Sequence, residues 1–405
     1  MAKVVVIGGG PAGMMAAIAA SENNQVFLVE KNNKLGKKLF ITGKGRCNVT
    51  NGKDISEFFE YIITNPYFLY SSLYTFTNED VIKFFEDRGI KLKEERGGRV
   101  FPASDKSSDI IKGLEEALRE KGVNVIIGDG VKKIESHGSV IKSIILESSR
   151  KLECDHVVMA TGGASYPKTG SNGDGYRFCK ELGHNIVDIK PSLVPLEINE
   201  DWLQEVQGLS LRNIQLTLRN SSKKIVFKEQ GEMLFTHFGV SGPLVLKASS
   251  IIKPNEKYEL FINLKPALSE KELDLRIQKD FLLYNNKDFK NALNDLFPKK
   301  LIPVMIKLST ISEDQKVNTI TKEQRRAFVN LISALPMRFK GFRSVDEAIV
   351  TSGGIDTKEI DASTMKSKLV DNLSFAGEVI DVDAFTGGYN VQIALSTGYV
   401  AGTKI

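Results

Sequence analysis

The feature that most constrains this sequence is its first thirty residues, where an apolar run meets a cluster of glycines. Residues 4–7 are β-branched and apolar, which is typical of a buried parallel strand. The turn that follows reads Gly8-Gly9-Gly10-Pro11-Ala12-Gly13, and small residues continue to position 20, as in a tightly packed helix. A second apolar run over residues 25–29 ends on Glu30. Strand, glycine turn, helix, strand and acid follow each other in the order of a dinucleotide-binding unit.

The spaced glycines have different tasks in such a turn. Gly8 permits the sharp bend, Gly10 lets the backbone approach a pyrophosphate, and Gly13 allows the helix to pack closely on the strand. Glu30 stands seventeen residues after Gly13, where an acid accepts hydrogen bonds from an adenosine ribose. Because FAD and NAD share this fingerprint, it does not distinguish the two cofactors. A glycine turn with a chance acid is the alternative, which the agreement of strand, helix and acid disfavours.

A second glycine-rich cluster follows, at residues 36–51. It combines glycines, cations and amide donors within sixteen residues. Such a loop can cradle phosphates or cover a ring, and a merely solvated turn is the alternative that the residues alone leave open.

Bulk composition narrows the class of protein. At 405 residues the chain exceeds what one hydrophobic core usually supports, so we expect two or three compact units. The net charge of +5 is small for this length and its basic residues are scattered, so nucleic acid is not an expected partner. The three cysteines have no metal-ligand or C-x-x-C spacing, which fits a reducing cytosol. With no leader segment and no apolar run near eighteen residues, we expect a cytoplasmic protein without a membrane span.

The pattern of apolar and polar residues changes twice after the first domain. From about residue 191, apolar residues alternate with polar ones, as at 214–218 and 258–264, which predicts a β-rich insert. Between 266 and 332, two capping boxes, Ser269…Glu272 and Thr321…Gln324, predict a small helical lobe. Glycine-rich motifs return at 351–355 and 375–402, which we interpret as a return to the first domain.

Beyond these patterns, the sequence resembles the HI0933-like flavoproteins over nearly its whole length. Members of that family are known as NAD(P)/FAD-dependent oxidoreductases and include bile-acid reductases and aminoacetone oxidases. The resemblance rests on the opening fingerprint and on five further stretches, residues 43–51, 160–163, 350–354, 375–383 and 387–392.

The resemblance implies an α/β fold of the two-dinucleotide-binding-domain flavoprotein type. A Rossmann-like FAD-binding domain would comprise residues 1–190 and 345–405. A β-barrel-like domain would be inserted at 191–265 and 333–344, with the small helical lobe at 266–332.

The resemblance also implies which residues contact FAD. The first glycine turn would bind the pyrophosphate, Glu30 the ribose, and the backbone of Val131 the adenine. A helix start at residues 388–392 would lie near the pyrimidine edge of the flavin and stabilise the anionic reduced ring. The complete expected cofactor-binding set is Gly8, Gly10, Pro11, Ala12, Gly13, Glu30, Lys31, Lys38, Gly45, Arg46, Cys47, Asn48, Val131, Ala160, Thr161, Gly162, Gly377, Glu378, Gly388, Tyr389, Asn390, Val391 and Gln392.

We therefore expect an FAD-dependent oxidoreductase that transfers a hydride between flavin N5 and a small organic substrate. Residues 128–130 and 173–175 lack the third glycine of a second dinucleotide fingerprint, so NAD(P)H would be a transient co-substrate. No catalytic acid or base can be assigned, although His237 is a candidate for a place near the substrate. Two alternatives stay open: a flavoprotein that binds or modifies RNA, prompted by lysine pairs, and a non-catalytic flavin-binding module.

Overall fold

A computed structural model describes residues 1–253 and 256–405, which divide into two compact units. The first unit comprises Met1–Ser192 and Val345–Ile405, and the second comprises Leu193–Ser344. A separate helical lobe at 266–332, and the domain limits given above, stay predictions.

The first unit contains a five-stranded sheet whose strands are all parallel. In spatial order the strands are Leu373–Phe375, His156–Met159, Lys3–Ile7, Gln25–Glu30 and Asn124–Ile127. Numbered along the chain, this is the order 5-4-1-2-3, which is that of a Rossmann-type sheet. The predicted Rossmann-like fold is confirmed, and Val4, Val5 and Val6 of the central strand are completely buried.

Helices and smaller sheets cover this parallel sheet. The helices of the first unit are Pro11–Ala20, Lys37–Ile41, Tyr70–Thr75, Asn78–Glu86, Ser107–Glu120, Asp174–Glu181 and Tyr389–Thr403. The smaller antiparallel sheets are formed by Val131–His137, Val140–Leu146 and Lys151–Glu153; by Thr50–Asn51, Arg99–Pro102 and Leu92–Glu95; by Ile186–Ser192 and Val350–Ile355; and by Ile62–Thr64 and Asp383–Ala384.

The first and last helices of this unit approach each other unusually closely. An added Cβ on Gly398 would lie 2.3 Å from the carbonyl oxygen of Ala12, and one on Gly402 would lie 2.3 Å from that of Ala16. The last helix therefore packs its glycines directly against the backbone of the first, and both chain ends build one domain.

The second unit is a closed six-stranded barrel with attached helices. Around the barrel the strands are Leu196–Ile198, Gly239–Ser241, Ile225–Phe235, Ser210–Asn220, Tyr258–Asn263 and Leu335–Phe342. Leu216 and Leu218 are fully buried and pair with the strand that contains Leu260 and Ile262, so the alternating pattern marks the barrel interior. The predicted β-barrel-like insert is confirmed.

The helices of the second unit are Pro243–Ser249, Glu270–Leu283, Ile302–Leu308 and Lys322–Ser333. Both predicted capping boxes are present: Ser269 with Glu272, and Thr321 with Gln324. Ile277 and Phe328 of these helices share one apolar core with the barrel residues. None of the described helices combines the length and the hydropathy that a membrane crossing requires.

Candidate cofactor site

The glycine turn between the first strand and the first helix is closed on two sides and open on one. An added Cβ on Gly8 would lie 2.4 Å from the carbonyl oxygen of Ala160, and one on Gly13 would lie 1.8 Å from that of Gly8. At Gly10, which caps the helix Pro11–Ala20, an added Cβ would meet no atom within 4 Å. Packing therefore requires glycine at positions 8 and 13, whereas Gly10 borders open space at a helix N-terminus, where anions bind.

The carboxylate of Glu30 is fixed against this turn. It accepts hydrogen bonds from the backbone N–H of Gly9 at 2.7 Å and of Asn32 at 2.8 Å. The backbone N–H of Asp129 donates to the carbonyl of Glu30 at 3.4 Å, which brings the start of the strand Val131–His137 beside this strand end. Val131, expected at the adenine, therefore follows a segment that contacts Glu30, expected at the ribose, at the carboxyl end of the strand Gln25–Glu30.

The second glycine cluster combines left-handed backbone with a buried polar atom that has no partner among the described residues. Gly43, Lys44, Gly45 and Cys47 all have positive φ, between 60° and 82°. The carboxamide oxygen of Asn48 is buried and has no hydrogen-bond partner in the described part of the chain. Burial raises the pKa of the Cys47 thiol, so this cysteine is poorly suited to be a thiolate.

Arg46 and Lys31, two of the three cations in the expected set, are held by carboxylates. The guanidinium of Arg46 pairs with Glu95 at 2.8 Å and Asp105 at 3.1 Å, and the bond to Glu95 raises its pKa most. Lys31 pairs with Asp174 at 2.6 Å. Neither charged group is free for a phosphate in this arrangement.

A third part of the site lies where the fourth strand of the sheet ends. Gly162 has φ +74°, and the hydroxyl of Thr161 is buried without a hydrogen-bond partner among the described residues. The Cβ of Ala160 is 3.3 Å from the position that a Cβ on Gly13 would take, so this strand end adjoins the glycine turn.

Lys38 and Glu378, which are 340 positions apart in sequence, meet in this region. The ammonium of Lys38 lies 2.7 Å from Glu378 Oε2, and the backbone N–H of Thr351 donates to Glu378 Oε1 at 2.9 Å. The neighbouring Gly377 donates its N–H to the Thr397 hydroxyl at 2.9 Å. The motif around Gly377 is thus anchored to the last helix and lies close to the start of the first.

The start of the last helix uses its side chains for protein contacts. Tyr389 stacks on Tyr61 with ring centroids 4.6 Å apart, and Gln392 accepts a 2.6 Å hydrogen bond from the Thr50 hydroxyl. The carboxamide of Asn390 accepts a hydrogen bond from the N–H of Ala384 and donates one to the carbonyl of Ala384. What this segment offers a ligand is therefore the N–H groups of its first turn, from Gly388 to Val391.

One residue of this region was missed by the sequence analysis. Asp383 is 1% exposed, and its Oδ1 atom has no hydrogen-bond partner within residues 1–253 and 256–405. Burial is the largest cause that raises the pKa of this carboxyl. Its place inside the motif at residues 375–383 was the available signal, but nothing local distinguishes it from Asp381.

Comparisons with known proteins identify a family and relatives that align with almost the whole chain. The sequence profile of the family described as HI0933-like protein Rossmann domain matches residues 2–404. A 3-dehydro-bile acid delta(4,6)-reductase from Clostridium scindens is 29% identical, over 99% of this chain and 98% of the relative. A ribosomal RNA dihydrouridine synthase from Escherichia coli is 31% identical, over 98% of this chain and 96% of the relative.

A solved structure confirms the fold at low sequence identity. The 3-ketosteroid delta1-dehydrogenase from Sterolibacterium denitrificans superposes with a TM-score of 0.52 at 12% identity, covering 99% of both chains. The profile match extends over almost the entire sequence, and the Escherichia coli relative is aligned along nearly its full length. The chain therefore belongs to the family described as HI0933-like protein Rossmann domain.

Proposed function

We propose that this protein binds one FAD at the site described above and reduces a carbon–carbon double bond conjugated to a carbonyl group. The reductant is a nicotinamide cofactor, NADH or NADPH, that visits the flavin transiently. The substrate is a small organic molecule, and a cytoplasmic location remains a prediction from the sequence.

The observations that carry the proposal are an open glycine turn and two buried polar atoms without partners. Gly10 borders open space at a helix N-terminus, while Asn48 Oδ1 and Thr161 Oγ1 are buried without partners in the described structure. Because buried polar groups are normally hydrogen-bonded, these atoms fit contacts to a bound ligand. All three residues belong to motifs expected at a dinucleotide.

The roles of the protein groups follow from their positions. The N–H groups that begin the helix Pro11–Ala20 would bind the pyrophosphate, and the carboxylate of Glu30 would bind the adenosine ribose. The first turn of the helix Tyr389–Thr403 would stabilise negative charge on a reduced ring. Bound FAD would supply hydride transfer, which no side chain can supply.

The names of the relatives support the reaction type. One name describes reduction at delta(4,6) double bonds of a 3-dehydro-bile acid, and another describes synthesis of dihydrouridine. Dihydrouridine is uridine in which the 5,6 double bond has gained two hydrogens. Both reactions add hydrogen across a double bond that is conjugated to a carbonyl, although the two substrates differ greatly in size.

Anaerobic spectroscopy tests the proposal. Purified protein should be yellow, should release FAD on denaturation, and should lose its flavin absorbance when mixed with NADH or NADPH. A 3-oxo-4,6-diene bile acid should then restore the absorbance. A colourless protein that cannot be reconstituted with FAD would refute the proposal, and so would a flavin that no nicotinamide reduces.

A uridine in RNA is the second candidate substrate, favoured by a surface feature. Tyr67, Tyr70 and Tyr74 are 87%, 58% and 43% exposed, and the rings of Tyr70 and Tyr74 are 4.6 Å apart. They follow Asn65, whose carboxamide donates to the backbone of Asp381 at 2.8 Å. Exposed aromatic rings of this kind stack on unpaired bases, so this tyrosine patch could hold a single strand next to the site.

RNA binding can be tested separately from reduction. A uridine-containing single-stranded RNA should shift on a gel in a salt-sensitive manner. Replacing Tyr67 and Tyr70 with alanine should weaken binding by about tenfold or more, whereas phenylalanine at both positions should preserve it. If the alanine and phenylalanine variants bind equally, the tyrosine patch does not hold RNA.

A further inference from the structure

Asp383 occupies a short strand between two motifs of the cofactor site. The strand Asp383–Ala384 pairs antiparallel with Ile62–Thr64, and it follows the turn at Gly377 and Glu378. The next residue, Ala384, is held at both backbone polar groups by Asn390, in the first turn of the last helix. The proposed function places the flavin along these same two motifs, so Asp383 lies in the segment that spans them.

The carboxyl of Asp383 is held on one side only. Its Oδ2 accepts a 2.6 Å hydrogen bond from the Ser192 hydroxyl, whereas the buried Oδ1 atom has no partner among the described residues. The hydroxyls of Thr64 and Ser352, 3.4 Å apart, lie close enough to lower the pKa of this carboxyl.

The charges around Asp383 favour its neutral form. Burial raises the pKa of the carboxyl, and the nearby carboxyl of Glu378 raises it further. Asp381, two residues earlier, carries a third carboxyl whose interaction with Asp383 is also repulsive. A buried acid among other acids keeps its proton because the charged form loses hydration and is repelled.

Asp381 provides an internal comparison. It is also buried and its pKa is also raised, chiefly by burial. Both of its oxygens have partners, however: Oδ1 accepts from the Gly353 N–H at 3.0 Å and Oδ2 from Asn65 at 3.0 Å. The neighbouring acid is therefore satisfied by the protein, whereas the acid of Asp383 has a free position for another molecule.

We propose that Asp383 is the general acid that protonates the substrate, an assignment that rests on the proposed double-bond reduction. The hydride comes from the reduced flavin and forms a C–H bond at the carbon farther from the carbonyl group. The O–H bond of Asp383 breaks, its proton forms a C–H bond at the adjacent carbon, and the double bond becomes single. Asp383 is left as a carboxylate that regains its proton from water, while NAD(P)H returns two electrons to the flavin.

The three hydroxyls fit this cycle. Before the transfer, burial keeps the acid protonated and able to donate. After the transfer, the hydroxyls of Ser192, Thr64 and Ser352 can donate to the new carboxylate and stabilise it. An acid that is neutral at rest but has hydroxyl donors for its anion can release a proton without leaving an unsolvated charge.

The assignment is tested by measuring flavin reduction and flavin reoxidation separately in an Asp383→Asn variant. Asparagine keeps the shape and the contact with Ser192 but has no acidic proton. Reduction of the flavin by NADH or NADPH should stay within about threefold of wild type, whereas reoxidation by a 3-oxo-4,6-diene bile acid should slow by about 100-fold or more. The variant should also lose the pH dependence of reoxidation. An Asp381→Asn variant is the matched control and should reoxidise within about threefold of wild type.

An infrared measurement makes the test independent of turnover. The wild-type protein at neutral pH should show a carbonyl band of a protonated carboxylic acid that Asp381→Asn keeps and Asp383→Asn loses. If the wild-type flavin is reduced but neither the bile acid nor a uridine-containing RNA reoxidises it, the proposed function fails. In that case the infrared band still shows whether Asp383 is protonated.

Two results would overturn the inference while the proposed function stands. In the first, Asp383→Asn is reoxidised as fast as wild type. In the second, the wild-type protein shows no band of a protonated carboxylic acid. If Asp383→Asn does not fold, Ser192→Ala replaces it: losing one donor to the carboxylate should slow reoxidation by about tenfold and move its pH profile upward. An unchanged rate and profile in Ser192→Ala would also contradict the assignment.

Discussion

Replacing Gly10 with alanine separates cofactor binding from folding. Gly10 has φ −81° and ψ −177°, a conformation that alanine adopts without strain, and its added Cβ would meet no protein atom within 4 Å. Alanine is a poorer helix cap than glycine, but it also lowers the entropy of the unfolded chain. Because these two effects oppose each other, we expect the free energy of unfolding without FAD to change by less than about 1 kcal/mol.

With FAD present, the same methyl group would stand where the pyrophosphate approaches the backbone. We expect the dissociation constant of FAD to rise at least about tenfold, which corresponds to about 1.4 kcal/mol. FAD at one hundred times the wild-type dissociation constant stabilises a protein by about 2.7 kcal/mol. The variant should therefore lose about half of that stabilisation, although its unliganded form melts like wild type.

Flavin-fluorescence titration of apoprotein, together with thermal unfolding with and without FAD, measures both quantities. Gly13→Ala is the matched control, because its Cβ would lie 1.8 Å from the carbonyl oxygen of Gly8. It should destabilise the unliganded protein itself by about 1–3 kcal/mol. If Gly10→Ala binds FAD as tightly as wild type, the pyrophosphate does not lie at this turn and the account of the site is wrong.

Three further predictions concern the same unit. Gly402→Ala places a Cβ 2.3 Å from the carbonyl of Ala16, so the free energy of unfolding in urea should fall by about 1–3 kcal/mol. Glu30→Gln removes the charge that would bind the ribose hydroxyls, so the fluorescence titration should give an FAD affinity about tenfold lower, and equal affinity would contradict that role. Burial lowers the pKa of His156 from 6.5 to about 4, so below pH 6.5 the unfolded chain binds the extra proton. The unfolding free energy should then fall by up to about 3 kcal/mol as the pH drops from about 7 to 4. Urea titrations at these two pH values measure the loss, which should be smaller in His156→Gln.

Much of the fold could be predicted because its signals are local. The glycine spacing, the acid at Glu30 and the capping boxes at Ser269 and Thr321 each depend on residues within a few positions of each other. Alternation of apolar residues identified the barrel strands because every second side chain of a strand points inward.

Side-chain direction could not be predicted from the same motifs. Arg46 and Gln392 lie in stretches expected to bind the cofactor, yet Arg46 pairs with Glu95 and Gln392 with Thr50. A motif shows which residue types are present, but the side chain that each residue contacts belongs to a segment far away in the sequence. For the same reason the sequence could not single out Asp383, whose burial depends on strands from three parts of the chain.

The glycine contact between the first and last helices affects when the cofactor domain can be completed during synthesis. At typical translation rates, the ribosome needs about 20 to 70 seconds to pass from residue 20 to residue 389. During that time the alanine-rich face of the helix Pro11–Ala20 lacks the helix Tyr389–Thr403 that later covers it. The FAD site that we propose uses the first turn of that last helix, so it can be complete only after the final helix has been translated.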